Sequence, residues 1–300
     1  MEFQVVGDVH FSPYFESKVD FSDVINPTKR LLLTTGDIIQ PYSQTAYNFY
    51  MYCAKNWERT YVMMGNQEHE STNNVFHYSM DEMVILMNNL IDRINHDIGS
   101  KKLIFIQNTF FDISEESVRI VGLTLWADGA IRNQLRSTTL TDSMVQTISF
   151  DDKTFRAQIM SGNGNGASGM MGPLLVSSWL PFEYHKNTEK AYSTLSYEDL
   201  TVLQNREMNF LRDMCQEASA LGYKVIVCSH YVPTESIRKE SPIISVENDF
   251  PISFFCKNVE HMIRSPIAAW VCGHVHLEQT VYVNDIPVYV NSTGFTHTQK

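Results

Sequence analysis

Three hundred residues, 43% of them hydrophobic and 19% charged, suit one globular unit with insertions and exclude a disordered or fibrous chain. A net charge of −11 with a pI near 5.3 argues against adhesion to long nucleic acids. It leaves room for a phosphate substrate, because bound cations reverse the local field.

From the N-terminus, Met-Glu-Phe-Gln is acidic and runs directly into an apolar stretch. No basic leader precedes it and no run approaches the ~20 residues of a membrane-spanning helix. The five cysteines (Cys53, Cys215, Cys228, Cys256, Cys272) are widely spaced and form no C-x-x-C, as expected of reduced thiols in a cytoplasmic protein. Short apolar runs then recur at 3–6, 31–35, 61–64, 103–106, 118–123, 224–228 and 267–272. Their length and their Val and Ile content predict buried strands. Helical periodicity predicts helices over 43–58, 74–97 and 196–221, the last with Ser196 as a cap and Gly222 as a stop. Runs at 280–283 and 287–292 are joined through Asn284-Asp285, a hairpin signal. Strands alternating with helices predict an α/β fold around a central sheet. Residues 127–195 break the pattern and carry SGNGNGASGMMGP at 161–173, so they read as an insertion, either a surface loop or a lid. The chain is expected to be one domain, 1–300, with that insertion.

Five strand-like runs end in polar residues: Gly7-Asp8-Val9-His10, Gly36-Asp37, Gly65-Asn66, Ser229-His230 and Gly273-His274-Val275-His276. In open α/β sheets the ligand site lies beyond the carboxyl ends of the strands, so these groups are expected to meet in one crevice. Imidazoles mixed with carboxylate and amide oxygens suit Mn, Fe, Zn or Ni rather than Ca. Seven ligands exceed one tetrahedral site and suffice for two ions if a carboxylate bridges. Such a pair clamps a phosphoryl group and generates hydroxide at neutral pH.

The series GDVH, GD, GN, SH and GHVH, over residues 5 to about 294, resembles the calcineurin-like metallophosphoesterases, whose fold is a central β-sandwich flanked by helices. VRIVGLTLWAD (118–128) and VYVNSTGF (288–295) are similar to a bacterial and phage-type subgroup with a G-x-TLW segment. The resemblance implies Asp8, His10 and His276 on one metal, Asn66, His230 and His274 on the other, and Asp37 bridging them. It implies two divalent ions, with manganese favoured, and in-line attack on phosphorus by a hydroxide held between them.

The family pattern Gly-Asn-His is here Gly65-Asn66-Gln67, followed by Glu68. The family histidine sits near the phosphate and is a candidate acid for the leaving alkoxide. Glutamine donates a hydrogen bond but has no proton to titrate, and losing a general acid typically costs about 10²–10⁴ in rate. Three explanations stand: another acid acts, with His69 the nearest, unless it is an exposed loop histidine; the chain is a slow or inactive relative; or glutamine was introduced to disable the site. Trp126 and Asp128 follow a strand on the motif side and either border the substrate pocket or pack. Arg132 and Arg136 would share a helical face, gripping a second phosphate or facing solvent. His185 is a further candidate from the insertion. The Met63-Met64 and Met170-Met171 pairs read as packing, and Tyr231 and Pro233 as shaping the loop of His230.

The function these residues imply is hydrolysis of a small phosphodiester such as a nucleotide. The alternatives are a phosphomonoesterase, including a protein Ser/Thr phosphatase, and a non-catalytic binding or scaffold protein on the same fold. Retention of all seven ligands favours an enzyme. The oligomeric state is left open.

Overall fold

The N-terminal apolar runs lie side by side. β1 (Phe3–Val6), β2 (Leu31–Thr34), β3 (Arg59–Val62) and β4 (Leu103–Phe105) form a parallel sheet in that spatial order. This is a computed structural model of the chain that describes residues 1–11, 19–69, 78–127, 182–184, 192–194, 197–239 and 256–292. Parallel neighbours need crossovers, and a helix lies in each of the two that join β2 to β3 and β3 to β4. α1 (Gln44–Asn56) starts where the Ser43 hydroxyl accepts the Ala46 N–H at 3.0 Å. α2 (Met80–Asp97) starts at a capping box, with Ser79 Oγ accepting from Glu82 N and Glu82 accepting from Ser79 N. The expected start at residue 74 is therefore corrected to Met80; a reciprocal cap at Ser79 fixes the first turn there.

At Ile106 to Asn108 the chain leaves the first sheet for a second. β5 (Thr109–Ile113) and β6 (Val118–Leu123) pair antiparallel. β5 was not expected from the sequence; its cross-strand partner explains it. Asp112 lies opposite Arg119, whose buried guanidinium donates to both Asp112 oxygens at 2.7 and 2.9 Å and to Glu217 at 3.1 Å. Of the expected insertion, the structure describes Ala127 and a strand pair, β7 (Phe182–Tyr184) with β8 (Tyr192–Thr194). Asp128, Arg132, Arg136, His185 and the glycine-rich stretch lie outside the described residues. α3 (Tyr197–Ala220) follows, then β9 (Lys224–Ser229), β10 (Ile267–Cys272), β11 (Glu278–Val283) and β12 (Ile286–Asn291). The second sheet has the order β11-β12-β10-β9-β6-β5, with antiparallel strands at its two edges. The expected hairpin joins β11 to β12, and both Asn284 and Asp285 take positive φ, 50° and 63°. That is the backbone a two-residue hairpin turn needs, and Asn and Asp tolerate it.

Side-chain alternation sorts these strands into layers. Leu33, Tyr61, Met63, Ile104, Ile120, Cys228 and Val271 meet between the two sheets. Leu32, Val62 and Met64 face the other way, onto α1 and α2. Val225, Val227, Trp270 and Cys272 face α3 through Leu211, Met214 and Ala218. The result is a β-sandwich with helices outside both sheets. No helix among the described residues is long and apolar enough to cross a membrane.

Because Leu33 sits fully buried between the sheets, Leu33→Ala is expected to lower the unfolding free energy by about 2–5 kcal/mol. A urea titration checks it; a loss under about 1 kcal/mol would mean that the two sheets do not close on this side chain.

Candidate metal centre

Every expected ligand follows the C-terminal end of a parallel strand. Asp8 and His10 follow β1, Asp37 follows β2, Asn66 follows β3, His230 follows β9, and His274 and His276 follow β10. Since β1, β2 and β3 are neighbours in one sheet, and β9 and β10 in the other, the two sheets deliver their strand ends to one place. All seven are buried except His276, which is partly so.

The backbone there is contorted. Asp8, His10, Asp37, His274 and His276 have φ of 54°, 53°, 52°, 72° and 51°, a left-handed conformation that costs a non-glycine residue roughly 1–2 kcal/mol. It turns each side chain back over the strand end. Two neighbouring glycines are required by close approach. A Cβ at Gly65 would lie 2.2 Å from Asp37 Oδ1, and one at Gly273 would lie 2.5 Å from Asp8 Oδ2.

Glu68 holds this backbone, and it was not among the residues singled out from the sequence. Its wholly buried carboxylate accepts N–H from Asp37 (2.9 Å), Ile38 (2.6 Å), Ile39 (3.2 Å) and Gly65 (2.8 Å). Burial, reinforced by Asp37, raises its pKa to about 7 despite those donors. The main chain of the adjacent Gln67 donates to Asp37 Oδ1 at 2.9 Å.

Two groups of ligand atoms emerge. Asp8, Asp37, His230 and His274 can place one donor atom each within 4.8 Å of all the others; Asp8, His10 and His276 form the second set. His230 Nε2 faces Asn66 Oδ1 at 2.8 Å, His274 Nδ1 at 3.1 Å and Asp37 Oδ2 at 3.4 Å, which adds Asn66 to the first set. His10 Nε2 faces His276 Nε2 at 3.0 Å. The carboxylate common to both sets in this geometry is Asp8, whereas the resemblance gives Asp37 the bridge.

Lone-pair atoms pointing at one another call for a cation. His230 Nδ1 lies 2.8 Å from the Thr35 carbonyl oxygen, an acceptor only, so Nδ1 carries a proton and Nε2 is the nitrogen turned to the site. Burial works against charge on His230, but Asp37, Asp8 and the Thr35 carbonyl outweigh it and hold the imidazole at about 9. Burial likewise pushes Asp37 upward, yet His230, His10 and His274 hold its carboxyl well below the usual range. For His276, burial lowers the pKa against the pull of Asp8. A site that recruits a proton between paired carboxylates and imidazoles matches what two divalent ions require, so the donor set fits metal.

Two other candidates lie in the core. His69 is not an exposed loop histidine: it is 2% exposed, its ring 5.5 Å from that of Trp126. Burial drives its pKa down to about 4, so near neutrality it has no proton to give. Of the two readings open for Trp126, packing is the one its surroundings agree with. It is 2% exposed and packs on Tyr231, whose ring lies 4.1 Å from His274. Behind it stands Glu207 of α3, also missed from the sequence. This buried carboxylate accepts Thr124 N at 3.0 Å and Trp126 N at 3.2 Å. Gln204 donates to the Trp126 carbonyl at 2.6 Å.

Glu68→Gln would set an amide NH₂ against main-chain donors and is expected to cost about 2–4 kcal/mol in stability; a change under 0.5 kcal/mol in urea unfolding would refute its holding role. Burial raises the Glu207 pKa to about 7. A raised carboxyl stabilises the fold fully below the ordinary carboxylate pKa and loses that contribution as pH rises through the folded value. Relative to Glu207→Gln, the wild type should therefore lose on the order of 3 kcal/mol between pH 4.5 and 8. Parallel pH profiles of the two proteins would contradict this.

No family model matches the chain, and no curated protein does. Among solved structures, a phosphopantetheinyl hydrolase from Mycobacterium tuberculosis is 12% identical, with 98% of this chain and 89% of that one aligned at a TM-score of 0.59. A dimetal phosphatase from Danio rerio is 12% identical over 96% of this chain and 86% of its own, at a TM-score of 0.42; that overlap carries no weight in the assignment. The likeness to the hydrolase is one of fold, and with the two-sheet architecture it gives the conclusion that this chain has a metallophosphoesterase-type fold.

Proposed function

We propose that the protein is a two-metal phosphoesterase that hydrolyses a small phosphodiester, a nucleotide or a similar compound. The observation that carries this reading is the convergence of Asp8, His10, Asp37, His230, His274 and His276 as two buried donor sets sharing one carboxylate. Asp8, His10 and His276 would hold one ion; Asp37, Asn66, His230 and His274, with Asp8 at the boundary, would hold the other. Manganese suits the mixed nitrogen and oxygen set. The ions, when bound, supply a nucleophile at neutral pH and offset charge on the phosphoryl oxygens. The net reaction adds water across one P–O bond and yields a monoester and an alcohol. The acidic net charge and the length of the 127–195 insertion support a small substrate rather than a long nucleic acid.

The chain's own residues bear on the leaving group. Gln67 has no proton to titrate, and His69 is held neutral. Among the described residues, neither candidate acid delivers a proton to a departing alkoxide. Turnover should therefore depend steeply on how basic the leaving oxygen is.

With saturating Mn²⁺, two ions per chain are expected by elemental analysis, with hydrolysis of bis-p-nitrophenyl phosphate. Asp8→Asn and Asp37→Asn should each abolish turnover. Gln67→His should accelerate alkyl diesters by about 10²–10⁴ and nitrophenyl diesters little. Full turnover by Asp37→Asn, or a wild type without bound metal, would overturn the proposal.

A further inference from the structure

Gln67 does more than stand where a histidine is missing. Its side-chain oxygen Oε1 lies 2.8 Å from His10 Nδ1, while His10 Nε2 faces His276 at 3.0 Å and Asp8 Oδ1 at 3.9 Å. An imidazole that ligates through Nε2 must carry its proton on Nδ1, and that proton needs an acceptor. Gln67 Oε1 is that acceptor. The arrangement repeats the one at His230, whose Nδ1 proton goes to the Thr35 carbonyl with Nε2 facing the site. Each donor set thus contains one imidazole tied from behind by an amide oxygen, a main-chain one in the first set and a side-chain one in the second.

The glutamine is itself pinned. Its N–H donates to Asp37 Oδ1 at 2.9 Å, and its carbonyl accepts from Gln40 Nε2 at 3.3 Å. It lies in a short helical turn, Gln67–His69, whose next residue is the buried Glu68. One residue therefore touches a ligand of each set, the Asp37 carboxylate through its main chain and the His10 ring through its side chain. With Oε1 committed to His10, the amide NH₂ is the end left to face elsewhere, an uncharged donor at every pH.

We infer that Gln67 is a positioning residue for metal ligation. Its amide oxygen fixes the tautomer and orientation of His10, and so sets the affinity of the Asp8–His10–His276 site for a divalent cation. This rests on the two-metal reading above, with one part that stands without it: the His10–Gln67 contact is a property of the protein before any cation binds. A substitution that merely removed a general acid would leave both cation affinities untouched, so the two accounts separate cleanly.

Two variants test it. Gln67→Met keeps the length and removes the acceptor; Gln67→Glu restores an oxygen at the same reach. Mn²⁺ titration by calorimetry on chelator-treated protein should show one of two sites weakened about 10–100-fold in Gln67→Met, the other within a few-fold of wild type, and recovery in Gln67→Glu. In parallel, ¹⁵N shifts of the cation-free protein, assigned with His10→Asn, should report a Nδ1–H tautomer for His10 in wild type and a tautomer mixture in Gln67→Met. Unchanged affinities together with an unchanged tautomer overturn the inference, as does equal weakening of both sites. If wild type binds no Mn²⁺ while the tautomer still depends on Gln67, the phosphoesterase reading fails and the His10 contact is upheld.

Discussion

Four main-chain N–H groups end on one buried carboxylate, and the arrangement of the site depends on that fact. Glu68 gathers the amides of Asp37, Ile38, Ile39 and Gly65, which belong to turns after two different strands. Without an acceptor those buried donors would each carry a desolvation penalty of about 1–3 kcal/mol. With it, the turn after β2 and the turn after β3 become one rigid unit, and the left-handed φ of Asp37 is held. The ligand side chains point where they do because the main chain beneath them has no freedom.

The second sheet solves the same problem with a residue far away in sequence. Glu207 reaches from α3 to the amides of Thr124 and Trp126, where Leu125 takes a φ of 60°. Trp126 then packs on Tyr231, and Tyr231 on His274 and His230. Tyr231 N also donates to Thr124 O at 3.0 Å. Between the two carboxylates, Gln107 links the halves, accepting from Met64 N and donating to the Thr124 hydroxyl. In both sheets a buried acid organises a turn, and the turn organises an imidazole or a carboxylate.

Much of this was legible in the residues. The apolar runs were short and bounded by turn or polar residues, so most of the strands and the meeting of their ends followed from period and punctuation. The edge strand β5 was not, because it is fixed by its pairing with β6 and the ion pair of Asp112 with Arg119 rather than by its own short sequence TFFDI. Glu207 was hidden in a polar-looking helix, although one signal exists: Gln204, Glu207, Leu211, Met214 and Ala218 fall on a single stripe of α3, and all are buried. Polar residues on an apolar stripe have to be satisfied there. His69 was misjudged because burial is a property of packing, and a lone histidine after a turn carries no mark of the ring that will cover it.

The sheets owe their closeness at the ligand end to very little covalent continuity. Strands of the first come from residues 3–105 and those of the second from 109–291, and the first donor set takes Asp8 and Asp37 from one, His230 and His274 from the other. A cation seated among them is a clasp across the sandwich. On the two-metal reading, such a clasp makes heat resistance report on occupancy: a ligand that binds only the folded chain adds about 2.7 kcal/mol when its free concentration is a hundredfold above its dissociation constant. A cell that starves the protein of its ion would thereby loosen the seam between its halves, and scarcity of metal would be read out as turnover of the chain itself.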